Sequence, residues 1–353
     1  MSWMIYGANG YTGELATREA VGKGLSPILA GRNAEAVGRL AKELGLQSRA
    51  FSLDDPQGTA AELYGVQAVL HCAGPFVHTS APMVAACLAT GAHYLDITGE
   101  IPVFETVLAR GEAARKAGVA LLPGVGFDVV PSDCLAARLA RALPDATDLV
   151  LAFYPEKGSL SRGTMKTMIE SLPHAGAIRK NGKIVPVPVA FDAREIDFGR
   201  AGKRWAMTIP WGDVSTAYHS TGIPNIRVYS GTPPGTIRRM KRLAPLLPLA
   251  GWGPIKRLSL HWVDKKVTGP SEELRETGRV HLWGEAKNAA GRAVTSLETP
   301  EAYRLTAVSA VESVERVLQG KVPPGAWTPS KAFGADFVTE LPGVVAGEVR
   351  LSR

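Results

Sequence analysis

The chain is short of cysteine. Three are present, Cys72, Cys87 and Cys134, each in an apolar run and none in a C-x-x-C pair. So small and scattered a set excludes a disulfide framework and suits a reducing compartment. Metal-binding patterns are missing as well. The seven histidines are dispersed, with neither H-E-x-x-H nor paired Cys/His spacing, so no metal site is expected. No apolar stretch reaches the roughly 18–20 residues that span a bilayer. The opening "MSWMIY" lacks a basic leader, so no signal peptide is expected and the chain reads as cytoplasmic. Positive charge is in only modest excess, +7 over 353 residues, which a solvated basic surface accounts for without nucleic acid as a partner.

What is there suits two soluble domains: 353 residues, 45% of them apolar and 21% charged. Over the first 125 residues the strand-like runs "SWMIY", "PILA", "RAFSL", "AVLHCA", "HYLDI" and "VALLP" alternate with helix-period segments at 12–21, 34–44, 56–63, 81–90 and 102–116. This alternation predicts an α/β fold, a Rossmann-type doubly wound parallel sheet, over residues 1–130. After Pro131 the rhythm changes, and residues 131–320 read as an α+β domain with a mixed, mostly antiparallel sheet. Its expected parts are a helix N-capped by Ser132, a strand "LVLAFY" and a helix "SRGTMKTMIESL". A strand-like stretch at 184–230, a hairpin turning near 288–291 and a helix at 303–318 follow. Residues 321–353 are expected to pack back on the first domain.

In "MIYGANGYTG" a short strand gives way to Gly7, Gly10 and Gly13 at the start of a helix. Gly7 permits a tight turn, Gly10 removes a Cβ that would block a pyrophosphate, and Gly13 lets helix and strand approach. The helix end then offers free N–H groups to phosphate. At the end of the second strand, "ILAGRN", an NAD site would carry Asp or Glu. Gly31 stands there, followed by Arg32, with Arg39 two turns on. A guanidinium grips a 2′-phosphate that a carboxylate would repel, so the cofactor is expected to be NADP(H).

Ligands of such sheets lie outside the carboxyl ends of the strands. The fourth strand runs into "CAGPF", which puts Ala73, Gly74 and Pro75 beside the nicotinamide ribose. The next two run into "DITGE" and "PGVGFDVVPSD". Thr98 is expected at the cofactor, and Glu100, Asp128, Ser132 and Lys166 are the candidates for catalysis, with Asp96, Asp133 and Thr164 beside them. Asp96 and Glu100 also read as caps of the following helix, Ser132 and Asp133 as helix-start residues, and Lys166 as a solvated helix position. Asp128 is the hardest to explain as a cap, since it sits between Phe127 and two valines. The Rossmann half has no Tyr-x-x-x-Lys pair, so the short-chain dehydrogenase mechanism finds no support. Residues 237–263 interleave Arg and Lys with Leu, Pro and Trp. Such a segment suits a membrane surface, an acidic carrier delivering a hydrophobic chain, or packing on its own domain.

The ordered set "YGANGYTG", "LAGRN", "VLHCAGPF", "GAHYLDITGE" and "LLPGVGFDVVPSD" resembles the saccharopine dehydrogenase-like NADP-binding family. The later "SRGTMKTMIES", "GPSEELRETGRVHLWGEA" and "GAWTPSKAFGADFVTELPGV" are similar to its trans-acting enoyl reductase branch. The resemblance implies an NADP-dependent oxidoreductase in which an α+β domain covers the nicotinamide. It implies cofactor roles for Asn9, Tyr11 and Thr12 beside Gly7, Gly10, Gly13, Arg32 and Gly74, and a homodimer. Three functions stay open: reduction of a C=C or C=O bond on a hydrophobic, carrier-bound substrate; C=N reduction or amine oxidation on an amino-acid-derived substrate; and non-catalytic NADP binding at a lipid surface.

Overall fold

The computed structural model describes residues 2–171 and 176–352. Strands and helices alternate first: β1 (Trp3–Tyr6), α1 (Tyr11–Gly22), β2 (Ile28–Gly31), α2 (Ala34–Leu44), β3 (Ser48–Ala50), α3 (Pro56–Glu62), β4 (Ala68–His71), α4 (Phe76–Thr90), β5 (His93–Asp96), α5 (Ile101–Leu108), α6 (Gly111–Ala117) and β6 (Ala120–Leu122). Then come α7 (Val130–Ala142), β7 (Asp148–Pro155), α8 (Arg162–Ser171), β8 (Ala177–Lys180), β9 (Lys183–Pro186), β10 (Ala193–Asp197), β11 (Lys203–Thr208), α9 (Asp213–Thr221) and β12 (Asn225–Gly231). They are followed by α10 (Pro234–Leu243), α11 (Gly253–Lys266), α12 (Glu272–Thr277), β13 (Arg279–Lys287), β14 (Arg292–Pro300), α13 (Ala302–Leu318), β15 (Gly325–Ala326), β16 (Val345–Ala346) and β17 (Arg350–Ser352).

Two compact units result: Met1–Asp128 with Tyr303–Ala332, and Val129–Ala302 with Phe333–Arg353. The first holds a seven-stranded sheet in the order β3-β2-β1-β4-β5-β6-β15, every recorded pair parallel. A parallel sheet covered on both faces needs strands that are apolar throughout, and β1, β2 and β4 are buried along their whole length. The core includes Met4, Leu63, Met83 and Tyr94, and each large side chain of this kind contributes roughly 1.5–3 kcal/mol by leaving water. Strand order reverses between β1 and β4, the switch point at which doubly wound sheets bind ligands.

The second unit holds a mixed sheet, β10-β11-β12-β7-β13-β14-β16, with β17 added to β14, β8 to β12 and β9 to β8. Among the described residues β7 and β12 are its parallel neighbours; the other pairs are antiparallel. The β13–β14 hairpin closes where Asn288 Oδ1 accepts the N–H groups of Ala290 (2.8 Å) and Gly291 (3.0 Å), a short polar side chain standing in for backbone in a tight turn.

The structure departs from the sequence expectations in four places. Helix α13, expected in the second domain, belongs to the first unit. Its Ser309 hydroxyl donates to the Val125 carbonyl (2.8 Å), and Lys23 pairs with Glu312 and Glu315. Residues 333–353, expected on the Rossmann domain, belong to the second unit, where β16 and β17 extend the sheet at β14. The strand-like stretch at 184–230 contains a helix, α9, whose buried Val214, Ser215, Thr216 and Ala217 override weak helix propensity by packing toward α7. Helix α7 starts at Val130, before the expected cap, because proline is tolerated in a first helical turn. The expected end of α8, at Leu172, lies outside the described residues. No helix among the described residues is long and apolar enough to cross a membrane.

Candidate active site

The glycine turn lies at the switch point of the first unit. At Gly7 the backbone takes φ 84°, a conformation glycine adopts freely. A Cβ there would also fall 2.8 Å from the Ala73 amide nitrogen, so the loops after β1 and β4 touch backbone to backbone. A Cβ on Gly13 would press into the Gly7 carbonyl oxygen and come 2.9 Å from Ala8 Cα. Both glycines are therefore demanded by the fold itself. Gly10 differs: it is exposed, its φ is −81°, and a Cβ would meet only Gly7 O at 3.2 Å among the described atoms. Space stands open over Gly10 at the head of α1. That helix end carries no side-chain cap, whereas Asn33 caps α2 (3.0 Å to Ala36 N) and Asp55 caps α3 (3.1 Å to Gln57 N). Free N–H groups and the positive end of the helix dipole suit a bridging diphosphate. Tyr11 is held at the same end by the edge of the Tyr303 ring, 5.1 Å away, while Asn9 is exposed and Thr12 partly so.

At the end of β2 the structure explains the missing acid. Any side chain at Gly31 would meet Asn9 Oδ1 at 3.0 Å and Val37 Cγ2 at 3.1 Å. Arg32, next in line, is exposed, and its charge reaches the Tyr6 phenol at the end of β1. Burial pushes that phenol up to about 12 while the guanidinium pulls against the shift. Arg32 thus stands exposed at the carboxyl edge, without a hydrogen bond or ion pair to a described residue. Arg39, by contrast, is spent on Glu35 (3.2 Å) along α2. Arg32→Ala is expected to weaken NADPH binding roughly 10- to 150-fold, the loss of one charge-assisted contact, and to leave NADH binding unchanged. Parallel titrations with the two cofactors check this; equal losses for both would place Arg32 elsewhere than on the 2′-phosphate.

Three loops form the other half of the edge. After β4, Ala73, Gly74 and Pro75 run into α4, with Gly74 exposed. The Thr79 hydroxyl donates to the Ala73 carbonyl (2.7 Å) and accepts from His71 Nε2 (2.9 Å). Burial keeps that imidazole neutral, its pKa pushed down to about 3. After β5, Asp96 Oδ1 accepts from Thr98 N (3.0 Å) and from Gly124 N (2.8 Å), tying this loop to the one after β6. Thr98 is fully buried and its hydroxyl takes the Glu100 N–H (3.1 Å), so its side chain shapes the loop and has no exposed surface to offer a cofactor. Glu100 receives Phe76 N (2.8 Å) and Val77 N (2.9 Å), one on each carboxylate oxygen. It therefore caps α4 from 24 residues away, rather than the helix that follows it, and its carboxylate is committed to that work.

After β6, Gly124, Val125, Gly126 and Phe127 are pinned by Asp96 and by α13, the Phe127 N–H reaching Thr306 Oγ1 at 2.9 Å. This rigid loop presents Asp128, half-buried against the bare Cα of Gly99, where any side chain would collide with the carboxyl. Asp128 makes no hydrogen bond with a described residue. Burial, and secondarily the Glu100 charge, push its pKa from 3.8 to about 7. A carboxyl left without hydrogen bonds, on a braced loop and balanced near neutrality, has the properties of a general acid.

The remaining candidates lie in the second unit. Ser132 is buried inside the first turn of α7, where its hydroxyl donates to Asp213 Oδ2 (2.7 Å); it is not the expected N-cap. The neighbouring Asp133 accepts from Ser220, and these pairs join α7 to α9. Lys166, on α8, pairs with Asp264 of α11 (2.6 Å), a structural ion pair rather than the expected catalytic cation. Sequence reasoning overlooked the part of α13. Its signal is a hydroxyl stripe at three-residue spacing, Thr306, Ser309 and then Ser313 four further on, unusual on a helix face that is buried.

A doubly wound parallel sheet with an uncapped glycine turn at its switch point has the architecture of a dinucleotide-binding unit, and the comparisons make the chain an NADP-dependent oxidoreductase. The model of the saccharopine dehydrogenase NADP-binding domain matches residues 3–122, the dinucleotide-binding unit. Along almost its whole length the chain is similar to the trans-acting enoyl reductase of Mycobacterium tuberculosis H37Rv, 25% identical over 417 aligned positions that span 99% of this chain and 98% of the relative. The trans-acting enoyl reductase of Mycobacterium leprae is 29% identical over 184 positions, 48% of this chain and 44% of that one. Among solved structures, apo saccharopine dehydrogenase (L-Glu forming) from Saccharomyces cerevisiae shares the fold, with a TM-score of 0.65 at 13% identity and full coverage of both chains.

Proposed function

We propose that the chain uses NADPH to reduce the C=C bond of an α,β-unsaturated acyl group on a hydrophobic chain presented by a carrier protein. The observation that carries this reading is Asp128, a carboxyl without a hydrogen bond to a described residue, on the loop after β6 and against Gly99 of the loop after β5, at the carboxyl edge where such sheets bind their ligands. The similarity to trans-acting enoyl reductases over 99% of the chain supports the choice of bond. NADPH, when bound, supplies the hydride. The chain holds the diphosphate at the head of α1, reads the 2′-phosphate with Arg32, and keeps a protonated Asp128 near the acceptor. Asp128 gives its proton as negative charge develops on the thioester enolate, then regains one from water.

The test is a panel of carrier-bound acyl thioesters, followed by loss of NADPH absorbance and by the mass of the product. Enoyl chains are expected to gain two hydrogens. Turnover of 3-oxoacyl chains in their place would move the reading to C=O reduction. Turnover of an amine or imine substrate, with enoyl chains inert, would overturn it in favour of carbon–nitrogen chemistry.

A further inference from the structure

Single large apolar side chains such as Phe191, Trp205 and Leu351 are exposed at scattered points of the second unit, but on and just before α11 they cluster. On α11, Ile255, Leu258 and Trp262 are 39%, 72% and 55% exposed. Their spacing, i, i+3 and i+7, puts them on one stripe of the helix, the stripe that a globular helix buries. The opposite side of α11 already has its partner: Val263 is fully buried, Lys256 pairs with Glu170 of α8, and Asp264 with Lys166. Ahead of the helix, Trp252 is 63% exposed and Leu246 is 56% exposed. Proline restricts this segment to short helices, with Pro234 and Pro254 in the first turns of α10 and α11.

Charge accompanies the stripe. Arg238, Arg239, Lys241 and Arg242 on α10, with Lys265 and Lys266 on α11, are all exposed. Asp264 is the one acid between 234 and 266, and Lys166 neutralises it. Exposed tryptophan and leucine beside cations that pair with no acid among the described residues is the composition of a helix that lies in the headgroup region of a membrane. An acidic protein would match the charge. It would not by itself explain two tryptophans and a leucine held out in water, whereas a lipid surface takes in such groups without a shaped groove.

We propose that α10 and α11, with Leu246 and Trp252 between them, form a docking surface for an anionic lipid bilayer, with the Leu258–Trp262 stripe entering the headgroup layer and the basic residues facing acidic lipids. The surface would bring the protein to the membrane without spanning it. This inference uses the second unit alone, so it stands or falls separately from the enoyl reductase reading.

The experiment is co-sedimentation of the full chain with vesicles of neutral phosphatidylcholine, or of phosphatidylcholine mixed with phosphatidylserine. Binding is expected to the mixed vesicles only, with a blue shift of tryptophan emission and release by salt. Reversing Arg238, Arg239, Lys241 and Arg242 to Glu should weaken it at least about 100-fold, at roughly fivefold per charge. L258D/W262D should remove the blue shift and most of the binding. Both variants should keep the parent melting temperature and NADPH affinity. Because the reversed cations are exposed, that variant decides the matter even if the apolar one folds poorly. Equal binding to both vesicles, no binding to either, or capture of an acidic carrier protein on this face without vesicle binding would overturn the proposal.

Discussion

Gly10→Ala is expected to lower NADPH affinity by roughly 10²-fold while leaving the melting temperature close to that of the parent. The two halves of that expectation come from different observations. Among the described atoms the new methyl group would meet only Gly7 O, at 3.2 Å, which asks for a shift of a few tenths of an ångström, and the backbone at residue 10 has an ordinary φ of −81°, so the fold loses far less than at Gly13. The space it fills is the space over the uncapped end of α1, and displacing a diphosphate from there removes several charge-assisted N–H contacts. Gly13→Ala provides the contrast. Its methyl group would press into the Gly7 carbonyl, which is backbone and cannot turn aside. Overpacking of this kind costs about 1–3 kcal/mol or more, or roughly 2–4 °C of melting temperature for each kcal/mol. Calorimetry and cofactor titration on the two variants separate the roles. If Gly10→Ala bound NADPH as the parent does, the open space would not be the cofactor's, and the oxidoreductase reading would lose its base.

The same turn shows what a sequence can disclose. Glycine spacing, the end of β1 and the start of α1 all fall within a dozen residues, so their geometry is local and readable. The missing acid at residue 31 was readable too, although its cause, the contact of Asn9 and Val37 with that position, was not. Roles set by distant partners left no local trace. Glu100 looked like a cap for the next helix because helix starts are recognised by neighbours in sequence; its actual partners, the N–H groups of Phe76 and Val77, lie a whole crossover earlier. Helix α13 was found at its true place in the chain, but amphipathic periodicity says which side of a helix is buried, not against what. Its membership of the first unit rests on contacts such as Thr306 with Phe127, 179 residues apart. For the same reason Ser132 has the sequence signature of a cap: nothing near it in sequence announces Asp213.

Asp128→Asn carries the second large effect, and it runs in opposite directions on activity and on stability. The parent carboxyl is protonated up to about pH 7, because burial and the Glu100 charge oppose its ionisation. A general acid must be protonated to act, so turnover should be high below that value and fall as pH rises through it. The asparagine variant cannot give up a proton; its turnover should drop by roughly 10²–10⁴-fold with NADPH affinity kept, and the pH step should vanish. Stability moves the other way. Since the folded pKa is raised from 3.8, the parent is at full strength below the unfolded value and loses stability as pH rises toward about 7, where an ionised carboxyl must stay half-buried without a hydrogen bond. The variant carries no such charge. Its melting temperature should match the parent's near pH 4 and exceed it by a few degrees at about pH 8, the discount from full burial keeping the gain small. Melting curves and pH–rate profiles together distinguish an acid from a loop residue. A merely structural Asp128 would leave the pH step of turnover in place after substitution, whereas a catalytic one trades stability above neutrality for a proton held ready beside the substrate.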